Sequence, residues 1–171
     1  GLPALHSWAG DGGRYMTLGQ VFTRPPDSSL QNCGMYRVQI VDKNTALLRC
    51  HPGSGGGAHL MAWREQGKAM PVAIVLGGPP LLTWSAGVSL PAAVSEVQFA
   101  SYLSGLPLAF SECLCSDLRV PSSAEFVIEG EVLPGEEQVE GPFGNHTGYY
   151  SPASPAPVLR IKRISSRAAP V

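Results

Sequence analysis

A chain of 171 residues suffices for one domain with its own core, and the expectation is a single domain spanning 1–171. Apolar residues make up 44% and charged residues 15%, with 20 glycines and 16 prolines, so many turns and short elements are expected and much of the surface must be uncharged or covered. A net charge of −1 argues against a nucleic-acid binder, which needs a basic face, and no apolar run reaches the ~20 residues of a membrane helix.

In chain order, Tyr15 to Phe22 reads as a strand and Thr23 to Ser29 as a turn-rich loop. Met35 to Val41 alternates apolar and polar side chains and predicts a strand. Asp42 to Thr45 predicts a hairpin turn into Ala46 to Cys50, and His51 to Gly57 a glycine loop. His59 to Gln66 is expected to be helical, stopped by Gly67, and Pro71 to Leu76 a short apolar strand. Ser95 to Ser104 predicts a helix capped by Ser95, with Val97, Ala100 and Leu103 on one face. Leu118 to Pro121, Ala124 to Leu133 and Val158 to Ile164 read as further strands. Many short strands with two or three short helices predict an α+β fold built on a barrel-like sheet. The start, Gly1-Leu-Pro-Ala, has no basic-then-apolar leader pattern, so a cytoplasmic location is expected. The absence of an initiator Met suggests a piece of something longer.

Several residues carry potential chemistry. Asn32 and Arg37 differ by five, so a regular strand would place them on opposite faces; Gly34 is expected to break that regularity and let backbone approach a ligand. The bland alternative is a turn Asn and a surface Arg. His59 opens the first helix, and Glu96 lies in the first turn of the second, where a carboxylate also suits the helix dipole. The loop His51 to Gly57 lacks the Gly-Lys-Ser/Thr ending of a phosphate loop and the spacing of a dinucleotide fingerprint. Asn145-His-Thr147 fits a glycosylation sequon without other signs of secretion, and Ser85 and Ser89 sit in no nucleophile elbow. Cys113 and Cys115 would share one face of a strand, but a zinc site wants a second pair; buried free thiols are expected among Cys33, Cys50, Cys113 and Cys115. The most informative stretch is Glu140-Gly-Pro-Phe-Gly-Asn145-His-Thr-Gly-Tyr-Tyr150, a lone carboxylate before a glycine- and proline-rich turn.

Together, Trp8 to Tyr15, Asn32 to Arg37, Met70 to Ala73, Ala124 to Gly130, Glu140 to Gly144 and Gly148 to Tyr150 occur in an order that resembles the central domain of the UbiD-type decarboxylases, over nearly all of residues 2 to 168. The resemblance implies a split β-barrel that binds prenylated FMN, or FMN, through a divalent cation, manganese or magnesium, with potassium nearby. It implies Asn32, His59 and Glu96 as metal ligands, an oxygen and nitrogen set that suits such a cation. It further implies Asn32, Cys33, Gly34, Met35, Arg37, Ser85, Ala86 and Gly87 around the cofactor.

Arg37, Glu140 and the residue at 145 would form the family's Arg-Glu-acid group. Position 145 departs from the pattern: it is Asn, which cannot exchange a proton at neutral pH. The expectation is a reversible (de)carboxylase of aromatic or α,β-unsaturated acids. The alternative is a flavin-binding auxiliary subunit without that chemistry; a plain structural barrel is a third. Family members are much longer, with regions before and after this domain, so a homo-oligomer or a hetero-oligomer with a larger UbiD-type subunit is expected.

Overall fold

The computed structural model describes residues 2–91 and 94–170. The strands are β1 (Arg14–Met16), β2 (Gln20–Thr23), β3 (Asn32–Met35), β4 (Val38–Ile40), β5 (Thr45–Leu48), β6 (Met70–Leu76), β7 (Phe110–Glu112), β8 (Arg119–Pro121), β9 (Phe126–Glu140), β10 (Phe143–Gly144), β11 (Tyr150–Ser151) and β12 (Ser154–Ser166). The helices are α1 (Gly55–Glu65), α2 (Pro80–Ala86) and α3 (Glu96–Ser104). Eight strands form one antiparallel sheet in the order β1-β4-β5-β12-β9-β6-β2-β3. Strands β3 and β4 are joined by Tyr36 and Arg37 alone, yet stand six places apart in that order. A two-residue link spans at most ~11 Å. Six strand spacings in a flat sheet cover ~29 Å. The sheet must therefore curl until its ends nearly meet, and Tyr36-Arg37 bridges the split.

The two larger apolar cores follow from the alternation of side chains across this curled sheet. Val72 and Ile74 of β6 face the inside, with Met16, Val38, Leu48, Ile128, Leu159 and Leu60 of α1. Ala73 and Val75 face outward against Leu82 of α2, Ala100 of α3, and Leu118 and Val120 near β8. Burial on both faces explains why β6 reads as an unbroken apolar run.

The strand read over Tyr15 to Phe22 is two strands, β1 and β2, separated around Leu18 and Gly19. The strand read over Met35 to Val41 is also two, and the break falls at Tyr36-Arg37 rather than at Gly34. Helix α1 begins at Gly55, because the Ser54 side chain accepts from Gly57 N–H and closes the first turn of glycines. Ser95 occupies the cap position of α3 without a side-chain cap bond, and Leu103 is exposed while Ala100 is buried. Helix α2 carried no separate signal: Gly77-Gly78-Pro79-Pro80 reads as a turn, though Pro at a helix start is well tolerated. The strand expected to stop at Leu133 continues to Glu140. Its pairing to β12 jumps from Val132↔Leu159 to Glu137↔Pro157, so Pro134-Gly135 forms a bulge inside a strand rather than a turn after it.

Candidate functional site: a cleft beside a buried ion-pair cluster

Strand β3 and the starts of α1 and α3 converge at one side of the sheet. Asn32, His59 and Glu96 all line a single cleft of about 420 Å³ there, with Ser54, Gly55 and Ser95 beside them. The cleft adjoins a second space of about 340 Å³, lined by Gly34, Met35, Ala86 and Gly87 and again by Asn32 and Glu96. Each of the three donors is oriented by its own neighbour. Asn32 Nδ2 donates to the Tyr36 hydroxyl at 3.3 Å, and Gly56 N–H donates to the same oxygen at 2.9 Å. That bond fixes the Asn32 amide and leaves its Oδ1 toward Gly55. A Cβ on Gly55 would lie 2.0 Å from Asn32 Oδ1, so only glycine lets the helix start approach this amide.

His59 stands in the second turn of α1, not at its opening, and its Nδ1 lies 2.9 Å from Thr23 Oγ1. With Nδ1–H donating to the threonine, Nε2 keeps its lone pair for a cation. Burial lowers the His59 pKa and favours the neutral ring that ligation needs. Glu96 accepts the Cys33 N–H on Oε2 at 3.2 Å. Among the described residues, no three His, Cys, Asp or Glu side chains gather as a metal site. A cation here would have to take the Asn32 amide oxygen with the imidazole and the carboxylate.

Arg37, Glu140 and a residue missed in the sequence, Arg49, form the second cluster. Glu140, at the end of β9, is fully buried. Arg37 Nε donates to Glu140 Oε1 at 2.8 Å and its Nη2 to Oε2 at 2.9 Å, a two-point fork. Arg49 adds Nε and Nη2 on Oε2 at 3.0 and 2.9 Å. Burial pushes the Glu140 carboxyl up, but Arg37 and Arg49 outweigh it and hold the group below its ordinary value. The Arg37 guanidinium also lies 4.6 Å from the centre of the Phe143 ring, which packs at 4.7 Å against Tyr15. Burial, then the Glu140 charge, pushes the Tyr15 hydroxyl well up, so it stays protonated. Its OH donates to Gln39 Oε1 and to Pro142 O.

Asn145 sits past β10 in the β10–β11 turn, beside a small hollow lined by Trp8, Tyr149 and Tyr150. Its Nδ2 donates to Ser151 Oγ at 3.3 Å, and its Oδ1 accepts the His146 N–H at 2.8 Å, with His146 Nδ1 2.6 Å away. Among the described residues, no hydrogen bond joins Asn145 to Arg37 or Glu140. Two residues expected at the cofactor turn their side chains away from the cleft. The Ser85 hydroxyl is buried and donates to Leu81 O within α2. Cys33 turns its side chain into the outer core, and only its N–H reaches Glu96. Gly34 lines the second space, and a Cβ there would lie 2.4 Å from the Tyr36 ring, so glycine makes room for that ring.

All four cysteines are free thiols; Cys33 is buried and Cys115 exposed. The Cys113–Cys115 pair lies in the β7–β8 turn, not on a strand, where Leu114 and Cys115 N–H donate to the buried Glu129 carboxylate. Burial pushes the Cys50 thiol up to about 12. Burial and Glu129 do the same for Cys113. Arg49 was not singled out in the sequence, because Arg49 and Glu140 are 91 residues apart and only the fold brings them together.

The whole chain, residues 1–171, matches the family model for the UbiD 3-octaprenyl-4-hydroxybenzoate carboxy-lyase Rift-related domain. An uncharacterized protein of Aquifex aeolicus is 40% identical over 171 residues, 99% of this chain and 35% of its own. The UbiD-class enzyme HmfF from Pelotomaculum thermopropionicum, solved in complex with FMN, matches at TM-score 0.95 and 33% identity, over 99% of this chain and 38% of that one. An evolved dimeric form of HmfF, in complex with prFMN, matches at TM-score 0.94 and 33% identity, over 99% and 40%. Vanillic acid decarboxylase of Sedimentibacter hydroxybenzoicus, in closed form, matches at TM-score 0.95 and 31% identity, over 99% and 37%. Flavoredoxin of Desulfovibrio vulgaris shares the split-barrel fold alone, at TM-score 0.59 and 12% identity over 98% and 78%. The chain thus spans about a third of the length of the curated relatives it matches. Among the described residues, no helix is long and apolar enough to cross a membrane.

Proposed function

The chain belongs to the UbiD family, and on that ground we propose that it is the cofactor-binding part of a prenylated-FMN-dependent (de)carboxylase of aromatic or α,β-unsaturated carboxylic acids. The observation that carries this reading is the convergence of Asn32, His59 and Glu96 on one cleft, from three separate elements. An amide oxygen, a neutral imidazole and a carboxylate fit manganese or magnesium, and the cation would take the cofactor phosphate. The adjoining space beside Met35, Ala86 and Gly87 would receive the rest of the flavin. Bound there, prenylated FMN supplies the electron sink on which carbon dioxide is lost or gained.

The protein's own residues supply charge and orientation. Arg37 carries a positive charge, set over the Phe143 ring and aimed by Glu140, suited to a substrate carboxylate. Glu140 is held ionised, so it fixes Arg37 rather than donating a proton at neutral pH. Asn145 holds a hydrogen-bonding amide where an acid was expected, and the His146 ring contacts it. The rest of the enzyme, a larger chain or a partner subunit, would complete the substrate pocket, in keeping with relatives about three times as long.

Asn145 also favours a second reading, a flavin-binding auxiliary subunit without turnover. The two separate in one experiment: protein purified from cells that make prenylated flavin is assayed for bound flavin, manganese and carbon dioxide exchange with a test acid. Bound cofactor with exchange supports the enzyme. Asn145→Asp then raises exchange by about 10²-fold or more if proton transfer limits it. Bound cofactor with no exchange in either form supports the auxiliary subunit, and absence of both flavin and manganese removes both readings.

A further inference from the structure

Two arginines grip Glu140, and they use their donors differently. Arg49 spreads its bonds over three residues. Its Nε and Nη2 donate to Glu140 Oε2, its Nη1 to Pro155 O at 3.0 Å, and its Nη2 also to Ser154 O at 3.0 Å and Ser154 Oγ at 2.6 Å. Ser154 is the register partner of Glu140 across the β9–β12 pair. Arg49 therefore ties the carboxylate to the backbone of the strand beside it. Among the described residues, Arg37 instead spends only Nε and Nη2, both on Glu140. Its Nη1 edge makes no hydrogen bond to Glu140, and its Cζ lies 4.6 Å from the centre of the Phe143 ring.

We propose that Arg49 is a positioning residue: it clamps Glu140 as a fixed acceptor, so that Glu140 aims Arg37 and the outer edge of Arg37 is left for an anionic substrate. The charges decide the division of labour. One carboxylate between two guanidiniums leaves the cluster with one surplus positive charge. Arg49 is locked between β5, β9 and β12 by its carbonyl bonds, so the surplus is presented through Arg37. Among the described residues, no ion pair joins another carboxylate to either arginine. Tyr15 of β1 keeps its proton, and Asp11 acts on Tyr15 while accepting Trp8 and Gly144 N–H groups. This assignment rests on the proposed carboxy-lyase site for its use, but the clamp itself is a property of the protein without cofactor.

The test therefore reads Glu140 in the cofactor-free protein, with flavin retention measured separately. The side-chain carboxylate of Glu140 is followed by carbon NMR through an acid titration in the native protein, Arg49→Met and Arg49→Lys. Glu140→Gln assigns the signal. With the clamp removed, the Glu140 titration should move upward by about one pH unit in Arg49→Met, and by less in Arg49→Lys, which keeps the charge but not the fork. In the loaded protein, the acid limb of the pH profile should move in the same sense. An unmoved Glu140 titration in Arg49→Met overturns the proposal. If Arg49→Met does not fold, an unmoved titration in Arg49→Lys overturns it equally. A moved titration in protein that never retains flavin keeps the clamp and removes the enzyme reading.

Discussion

The cleft and the arginine cluster lie at the two ends of the short Asn32–Arg37 segment, and they are built on opposite plans. In the cleft, Asn32, His59 and Glu96 are half-buried, and each is held by a single neutral partner: Tyr36, Thr23 or the Cys33 N–H. In the cluster, the Glu140 carboxylate is fully buried and takes four N–H bonds from two guanidiniums. The first arrangement leaves lone pairs in an open space and suits a group that arrives later. The second is satisfied before any ligand comes and suits a rigid frame that directs charge. The cluster should thus govern stability, and the cleft should govern retention of the cation.

Glu140→Ala tests the cluster most severely. It leaves two guanidiniums facing each other without their anion and should cost about 3 kcal/mol in urea unfolding, as well as turnover. An effect below about 0.5 kcal/mol would show that the cluster is not a frame. Acid probes the same group with a defined sign. The folded Glu140 value is lowered, so its contribution is complete above the unfolded value, near 4.3 for Glu. Stability should fall as pH drops below that value and through the folded one. Melting temperature against pH should show that loss, and Glu140→Gln should flatten it.

Substitutions in the cleft should do the reverse. Glu96→Gln should cut manganese affinity by about 100-fold with little change in unfolding free energy, read by elemental analysis after gel filtration. Unchanged manganese content would remove Glu96 from the donor set. Gly55→Ala changes no charge and favours the helix by up to ~1 kcal/mol, yet its Cβ displaces Asn32 Oδ1. Weaker manganese retention in a protein that still folds is the expected result. Thr23→Val removes only the hydroxyl that orients His59 and should cost about 10-fold in manganese affinity, the mildest of these effects.

The strands and two of the helices were legible because their signals are local. β6 reads as an apolar run and α3 as an amphipathic stretch. Where the reading failed, a long-range contact had overridden a local signal. The β3–β4 break at Tyr36-Arg37 exists because the curled sheet brings its ends together, which no property of Met35 to Val41 announces. The strand expected to end at Leu133 runs on, because pairing with β12 on both sides of Pro134-Gly135 makes a bulge there. The cleft donors were named from motif order, and the structure draws them to one place. Arg49 escaped notice because its partners, Glu140 and Ser154, are distant in sequence. Ser85 and Cys33 were named with their neighbours, while helix and strand periodicity turn their side chains away from the cleft.

The central claim is that three side chains from three elements close on one cation that anchors a flavin phosphate. A crystal structure of the protein soaked with FMN and manganese tests it most directly. The account predicts manganese bound by Asn32 Oδ1, His59 Nε2 and a Glu96 carboxylate oxygen, with the phosphate completing the shell. Manganese bound elsewhere, or FMN seated with its phosphate away from these three donors, would contradict it.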